Sequence, residues 1–289
     1  VLAFVTSLRH PLNSADYDEV ERLLAETLTS VCNQEAGSDF AVFVVGNQRP
    51  AFALPPAVTF VPVDFPPPVD SAGPQFGREP FVWDKGTKIG IGLAAARAVR
   101  PDHVMVFDAD DYVHRGIAAL AASDPTAPGW YVDEGFIYSR RRQSYRVIPQ
   151  FSGRCGTCHV LRWDLYGVPP DLTTTASQEE VAKAFGERLP ALLGAHRGLR
   201  SWLGERGVPL DPMPFRGAVY QVDTGENHSG TELHGMARPV GRSLARDFGL
   251  PRPPLLPAAA RGLLAPREVE HEVRRRLRRL KSRFSSGAP

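Results

Sequence analysis

Short apolar runs alternate with helical periodicities along the first hundred residues of the chain. Leu2-Ala3-Phe4-Val5, Phe40-Ala41-Val42-Phe43-Val44-Val45 and Val58-Thr59-Phe60-Val61-Pro62-Val63 have the length and composition of strands. Pro62 predicts an edge position for the third, because proline cannot donate to a ladder. Pro11 and Asn13 break the chain after the first run, and Gly46-Asn47 stops the second. Val20, Leu23, Leu24, Thr27, Leu28 and Val31 fall at helical spacing, which predicts a helix over about 14–33 with Ser14 as N-cap. Residues 65–80 are rich in proline and glycine and read as a loop. From Trp83 to Gly116 the pattern reads as a charged turn, a helix from about Thr87 to Val99, a buried strand Val104-Met105-Val106-Phe107, and then the acids Asp108, Asp110 and Asp111. Gly90 and Gly92 cost that helix stability relative to alanine, and close packing on a sheet is a reason to tolerate them.

The pattern changes after Asp111. Gly129–Val132 and Phe136–Tyr138 read as strands around Asp133-Glu134, and Tyr145–Ile148 extends a hairpin. Gly156–Leu165 is a loop entering a short strand or helix, residues 178–206 are helical, and Ala218–Val222 is a late strand. Asp223–Gly235 is a polar, glycine-bearing loop with His228 and His234. Strands alternating with helices in the first half imply βαβ units and a mainly parallel α/β sheet. PRPPLLP from Pro251 is a stiff link, and Glu268–Phe284 is a basic amphipathic helix with Val269, Val273, Leu277 and Leu280 on one side. Such a helix can lie on an anionic membrane surface, or dock as a solvated terminal helix in a homo-oligomer.

Composition narrows the class. The 289 residues are 43% hydrophobic and 23% charged, ordinary globular values that permit a sizeable core. A net charge of +2 gives no reason to expect a nucleic-acid partner. No apolar run is long enough to cross a membrane as a helix, and VLAFVTSLRHP reads as a first strand, not as a signal peptide. Three cysteines make no disulfide framework, so a reducing cytoplasm is the expected compartment.

The chemistry concentrates in Asp108-Ala109-Asp110-Asp111. Carboxylates at the carboxyl end of a buried strand sit where open α/β sheets bind ligands. Asp108 and Asp110, two residues apart on a chain leaving its strand, can turn toward one hard cation of the magnesium type, which one or two carboxylates plus substrate phosphates commonly hold. An acid-rich turn is the plainer reading of a bare D-x-D. Cys155-Gly156-Thr157-Cys158-His159 fits the patterns for haem attachment and thiol redox chemistry. It lies mid-chain, opens no helix after a first strand and has no second C-x-x-C pair. A tight loop lining a pocket is therefore the better reading.

With strand, helix and acids in this order, the chain resembles GT-A-type glycosyltransferases, family-2-like, most specifically from Lys85 to Asp111 and more weakly over residues 1–140. The resemblance implies an α/β, GT-A-like open sheet flanked by helices, with a C-terminal helical extension. It implies a catalytic domain over 1–250, divided into a nucleotide-sugar-binding half (1–116) and an acceptor-side half (117–250), followed by the linker and basic helix of 251–289. The implied activity is transfer of a sugar, hexosyltransferase-like, from a nucleoside diphosphate donor to a hydroxyl acceptor in glycan, polysaccharide or glycoconjugate biosynthesis. The implied cofactor is a divalent metal, Mn2+ or Mg2+, held by Asp108, Asp110 and a late-loop histidine, His228, with His234 as the second choice. Thr6, Ser7 and Arg9 at the first strand end, Asp64 after the third strand, Lys85 and Lys88 at the start of the helix before the acids, and Asp108 and Ala109 are then the nucleotide-sugar contacts. Many members carry an acid at the end of the second strand, whereas this chain has Gly46-Asn47. An inverting member needs a carboxylate base; Asp133 is preferred over Glu134, Glu179 and Glu180.

Two rivals stand beside this reading. An aspartate-nucleophile phosphatase or phosphotransferase would use Asp108 covalently, but that motif opens its domain and has Thr or Val where this chain has Tyr112. The other rival is a non-catalytic nucleotide-sugar-binding protein.

Overall fold

The computed structural model describes residues 1–70, 78–227 and 230–251. Its elements are β1 (Leu2–Ser7), α1 (Tyr17–Val31), β2 (Phe40–Gly46), β3 (Val58–Pro62), α2 (Arg78–Ala96), β4 (His103–Val106), β5 (Tyr112–Val113), α3 (Ile117–Ser123), β6 (Gly129–Tyr131), β7 (Gly135–Ser139) and β8 (Ser144–Ile148). There follow β9 (His159–Arg162), α4 (Gln178–Phe185), a π-helical segment (Leu189–Gly194), α5 (Leu199–Gly204), β10 (Asp211–Pro212), β11 (Ala218–Val222), β12 (Arg238–Pro239) and α6 (Arg242–Phe248).

The architecture is α/β, with a mostly parallel central sheet flanked by helices. Its seven strands run in the order β10-β6-β9-β4-β1-β2-β3. β4, β1, β2 and β3 are mutually parallel, and β9 is antiparallel to both its neighbours. β3, with Pro62, is an edge strand as its proline predicts. The parallel strands read as unbroken apolar runs because both faces are covered. Leu2 and Phe4 enter one core with Leu24 and Leu28 of α1, whereas Ala3 and Val5 enter another with Ile89 and Leu93 of α2. A second sheet, β12-β8-β7-β11-β5, carries the hairpin β7–β8. The two apolar runs around Asp133-Glu134 thus separate: β6 joins the first sheet and β7 the second.

Two expected boundaries move. α1 is capped by Asp16, whose side chain accepts from the Glu19 amide, while Ser14 donates to the Pro11 carbonyl. α2 begins at Arg78, so the expected charged turn at Trp83–Gly86 lies inside the helix. Tertiary packing overrides the local glycine signal there. A Cβ on Gly86 would lie 3.1 Å from Leu189, one on Gly90 2.5 Å from Val181, and one on Gly92 2.4 Å from Val5. The small residues let α2 lie between the sheet on one side and α4 with the π-helical segment on the other. Among the described residues no helix is long and apolar enough to cross a membrane. The expected helix Glu268–Phe284 and the Pro-rich link lie outside the described residues, as does His228.

Candidate functional site

β1 and β4 run side by side and end together, so the residues that follow them meet at the carboxyl edge of the sheet. Thr6 is fully buried and its Oγ1 donates to the Phe107 carbonyl at 2.7 Å, pinning the two strand ends to each other. Beyond them opens a cavity of about 340 Å³, within the range of small-molecule sites. Ser7, Arg9, Lys85, Asp108, Ala109 and Asp110 all line it. Cys155, Gly156, His196, Arg197, Glu226 and Asn227 complete much of its wall from later in the chain.

Both acids of the D-x-D face this cavity, and each is engaged by a protein group. Lys85 Nζ contacts Asp108 Oδ1. Burial works against charge on Asp108, but Lys85, then His196 and the Gly156 amide, hold its carboxyl below the usual range. Asp110 Oδ2 accepts from Asn227 Nδ2 at 3.0 Å. Burial first, and then the negative charge of Asp108, push Asp110 up to about 7, with Arg9 opposing. Asp111 turns the other way. It is fully buried and accepts from the Gln221 amide at 3.0 Å, Thr157 Oγ1 at 2.6 Å and Cys155 Sγ at 2.9 Å. Burial, then Asp110 and Asp108, push it well above the ordinary carboxylate range.

The loop that carries C-x-x-C-H forms the wall behind Asp108. The Asp108 amide donates to Thr157 Oγ1 at 2.9 Å, and the Thr157 hydroxyl in turn donates to Asp111. A Cβ on Gly156 would sit 2.4 Å from Asp108 Oδ2, so only glycine lets the loop come this close. Cys155 and Cys158 are free, buried thiols. Burial first, with the nearby acids adding to it, pushes both well above the usual thiol range. That disfavours the thiolate on which redox and metal chemistry depend. The pocket-lining reading of this loop is the one the geometry supports.

The late loop is docked by two residues next to His228. Glu226 is buried; one of its oxygens receives the Ala15 and Asp16 amides at 2.9 and 2.8 Å, and the other receives Arg9 at 2.7 Å. Arg9 also donates to the Glu226 carbonyl at 2.7 Å. Its guanidinium, expected at phosphate, is thus aimed and partly neutralised by Glu226.

Other expected residues lie elsewhere. Lys88 has no exposure at all: its ammonium donates to the Leu8 carbonyl at 3.0 Å and to Asp84 at 2.8 Å, off the cavity. Asp64 is exposed and does not line the cavity. Neither does Asp133, exposed before β7, nor the exposed His234. Glu134 pairs with Arg216 at 2.8 Å, Glu180 closes the capping box of α4 with Ser177, and Glu179 is exposed beside it. Glu226 and Asn227 are not among the expected site residues, though they immediately precede His228. Nor are His196 and Arg197, which no local motif marks.

The donors fit a hard cation in part. Ligand atoms of Asp108, Asp111 and Cys155 lie within 4.8 Å of one another. The Asp111 carboxylate is already satisfied by three internal donors, and a protonated thiol suits no magnesium-like ion. The oxygen pair that faces the cavity, Asp108 and Asp110, is the better match to a hard divalent ion.

No protein-family model matches the sequence, and no curated protein matches it. Among solved structures, the chain is similar to S. aureus TarS 1–349 in complex with UDP-GlcNAc. Identity is 14% and the TM-score 0.40, over 81% of this chain and 62% of that one. TarS 1–349 without that ligand gives 14% identity and a TM-score of 0.39, over 76% and 60%. A Desulfovibrio desulfuricans G20 protein assigned to the nucleotide-diphospho-sugar transferases gives 11% and 0.34, over 77% and 82%. The chain thus spans about three fifths of the TarS structures it matches.

Proposed function

We propose that this protein is a GT-A-type glycosyltransferase that moves a sugar, hexosyl in type, from a nucleoside diphosphate donor to a hydroxyl acceptor. One observation carries the reading: Asp108 and Asp110 share a cavity at the carboxyl edge of the parallel strands with Arg9, Lys85 and Asn227. Acids and cations together around one cleft, with Arg154 and Arg197 also on its wall, suit a metal–diphosphate pair better than either kind of group alone. A divalent ion, Mg2+ or Mn2+, held by Asp108 and Asp110 would neutralise charge on the leaving diphosphate. Ser7 and Ala109 would border the donor, and Arg9, held by Glu226, lines the same cavity. Asp133 and the 1–116/117–250 division into donor and acceptor halves remain proposals from sequence. So do a cytoplasmic location, contact of the basic C-terminal segment with an anionic membrane, and self-association.

Asp110→Ala tests the assignment. Wild-type protein should melt higher with a matching nucleotide-sugar plus Mn2+ than with either alone, because ligands that bind the native state raise its stability by mass action. The variant should keep its far-UV spectrum and lose that metal-dependent shift and turnover of a labelled donor. Undiminished turnover in Asp110→Ala sinks the proposal; donor binding without turnover by the wild type would point to a binding protein.

A further inference from the structure

Resting on that reading, we propose that Lys85 is an exchangeable counter-ion: it neutralises Asp108 when no cation is bound, and swings to the donor's diphosphate when a divalent ion takes Asp108. Among the described residues Asp108 is the one hydrogen-bond partner of its ammonium. Neither partner is sealed, since the side chains are 26% and 31% exposed, and both line the same cavity. An ammonium released from Asp108 therefore remains beside the site. Lys88, three residues further along α2, is the contrast: fully buried, with two fixed acceptors, it cannot exchange.

Charge balance gives the exchange its direction. Arg9 is offset by Glu226 and Lys85 by Asp108, while Asp110, Arg154 and Arg197 also line the cavity. Without a cation, Lys85 is engaged by Asp108 and contributes little to holding a diphosphate. A dication on the acids makes the cavity more positive and displaces Lys85 from Asp108, and a lysine beside that cation gains by turning to phosphate oxygens. Metal and donor then bind cooperatively, and linkage requires each to raise the affinity for the other equally.

Wild-type protein is labelled with acetic anhydride and Lys85 acetylation is read by mass spectrometry, with Lys88 as the internal buried control. Mg2+ alone should raise labelling of Lys85 at least about three-fold. Mg2+ with whichever of UDP, GDP, ADP or CDP binds should return it to the protected level. In calorimetry, Lys85→Met should bind Mn2+ about five-fold more tightly, as expected on freeing a carboxylate from a half-exposed ion pair. The same variant should bind the nucleoside diphosphate at saturating Mn2+ about ten-fold more weakly. Labelling unmoved by Mg2+, or unchanged Mn2+ affinity in Lys85→Met, overturns the exchange while leaving the nucleotide-sugar reading in place. Wild-type protein that binds neither Mn2+ nor any of the diphosphates overturns both. The labelling arm holds even where the variant does not fold.

Discussion

Gly156→Ala separates the site from the fold more cleanly than any change to the acids. Gly156 has ordinary backbone angles, so alanine brings no conformational strain of its own. The conflict is local: the new Cβ would meet Asp108 Oδ2 at 2.4 Å, Oδ1 at 2.9 Å and Cγ at 3.0 Å. A carbon–oxygen approach is comfortable at ~3.3 Å, so relief of roughly 0.9 Å is needed. The loop yields poorly, because Thr157 is tied to the Asp108 amide and to Asp111, and Cys155 to Asp111 as well. The half-exposed Asp108 carboxylate yields more readily by rotating, which breaks its contacts with Lys85 and the Gly156 amide. Overpacking of this kind costs about 1–3 kcal/mol. For a chain of this size that lowers the melting temperature by roughly 2–8 °C. Loss of one carboxylate from the cation site should weaken Mn2+-dependent nucleotide binding at least about ten-fold, or ~1.4 kcal/mol. Calorimetry with Mn2+ and the best nucleoside diphosphate, alongside a thermal melt, reads both effects. A variant that melts several degrees lower yet binds as wild type would show that the loop moves and that Gly156 does not set Asp108.

Three further outcomes follow from the same geometry. Asp110 is held up near 7 in the folded chain by burial and by Asp108. The native state therefore binds more protons than the unfolded one between roughly pH 4 and 7, and metal-free stability should rise as pH falls through that window. Mn2+ affinity, measured by titration, should instead fall over it, because the proton and the cation compete for one carboxylate; parallel trends contradict the placement of Asp110 in the cation site. Lys88→Met strands the buried Asp84 and should cost about 3–5 kcal/mol in urea unfolding, while Asp84→Asn with Lys88→Met recovers much of it. Gly92→Ala should destabilise by about 1–2 kcal/mol despite better helix propensity, because its Cβ would lie 2.4 Å from Val5; a stabilised variant would mean α2 can shift off the sheet.

The sheet was legible because its signal is local and redundant. A parallel strand buried on both faces must be apolar at every position, and Leu2–Val5, Phe40–Val45 and Val104–Val106 satisfy that without knowledge of their neighbours. The start of α2 was not legible for the opposite reason. Trp83-Asp84-Lys85-Gly86 has the composition of a turn, and what makes it helical is distant: Gly86 and Val82 fit against Leu189 and Gly194. The earlier start puts Lys85, expected just ahead of the helix, inside it with Lys88. On the helix they are neighbours three residues apart, offset by about 60° around the axis and ~4.5 Å along it, and packing decides that Lys85 reaches the cavity while Lys88 reaches Asp84 and the Leu8 carbonyl.

The acids show the same division within four residues. Sequence alone sets Asp108 and Asp110 apart as the D-x-D pair and is silent on Asp111, whose role depends on pairing of the late strand. β11 lies against β5 and thereby brings the Gln221 amide to Asp111. Thr157 and Cys155 add two more donors, so Asp111 is consumed as the fastener between the late strand and the C-x-x-C loop. That fastening sets Gly156 against Asp108, and Asn227, six residues past Gln221, reaches Asp110. The cysteine motif thus has a use that neither haem nor redox chemistry supplies. Cys155 spends its S–H on Asp111, Thr157 bridges two acids, and the glycine between them clears the room in which Asp108 turns toward the cavity. A D-x-D motif can be found by eye. Its orientation is written in residues about fifty and more than a hundred positions away.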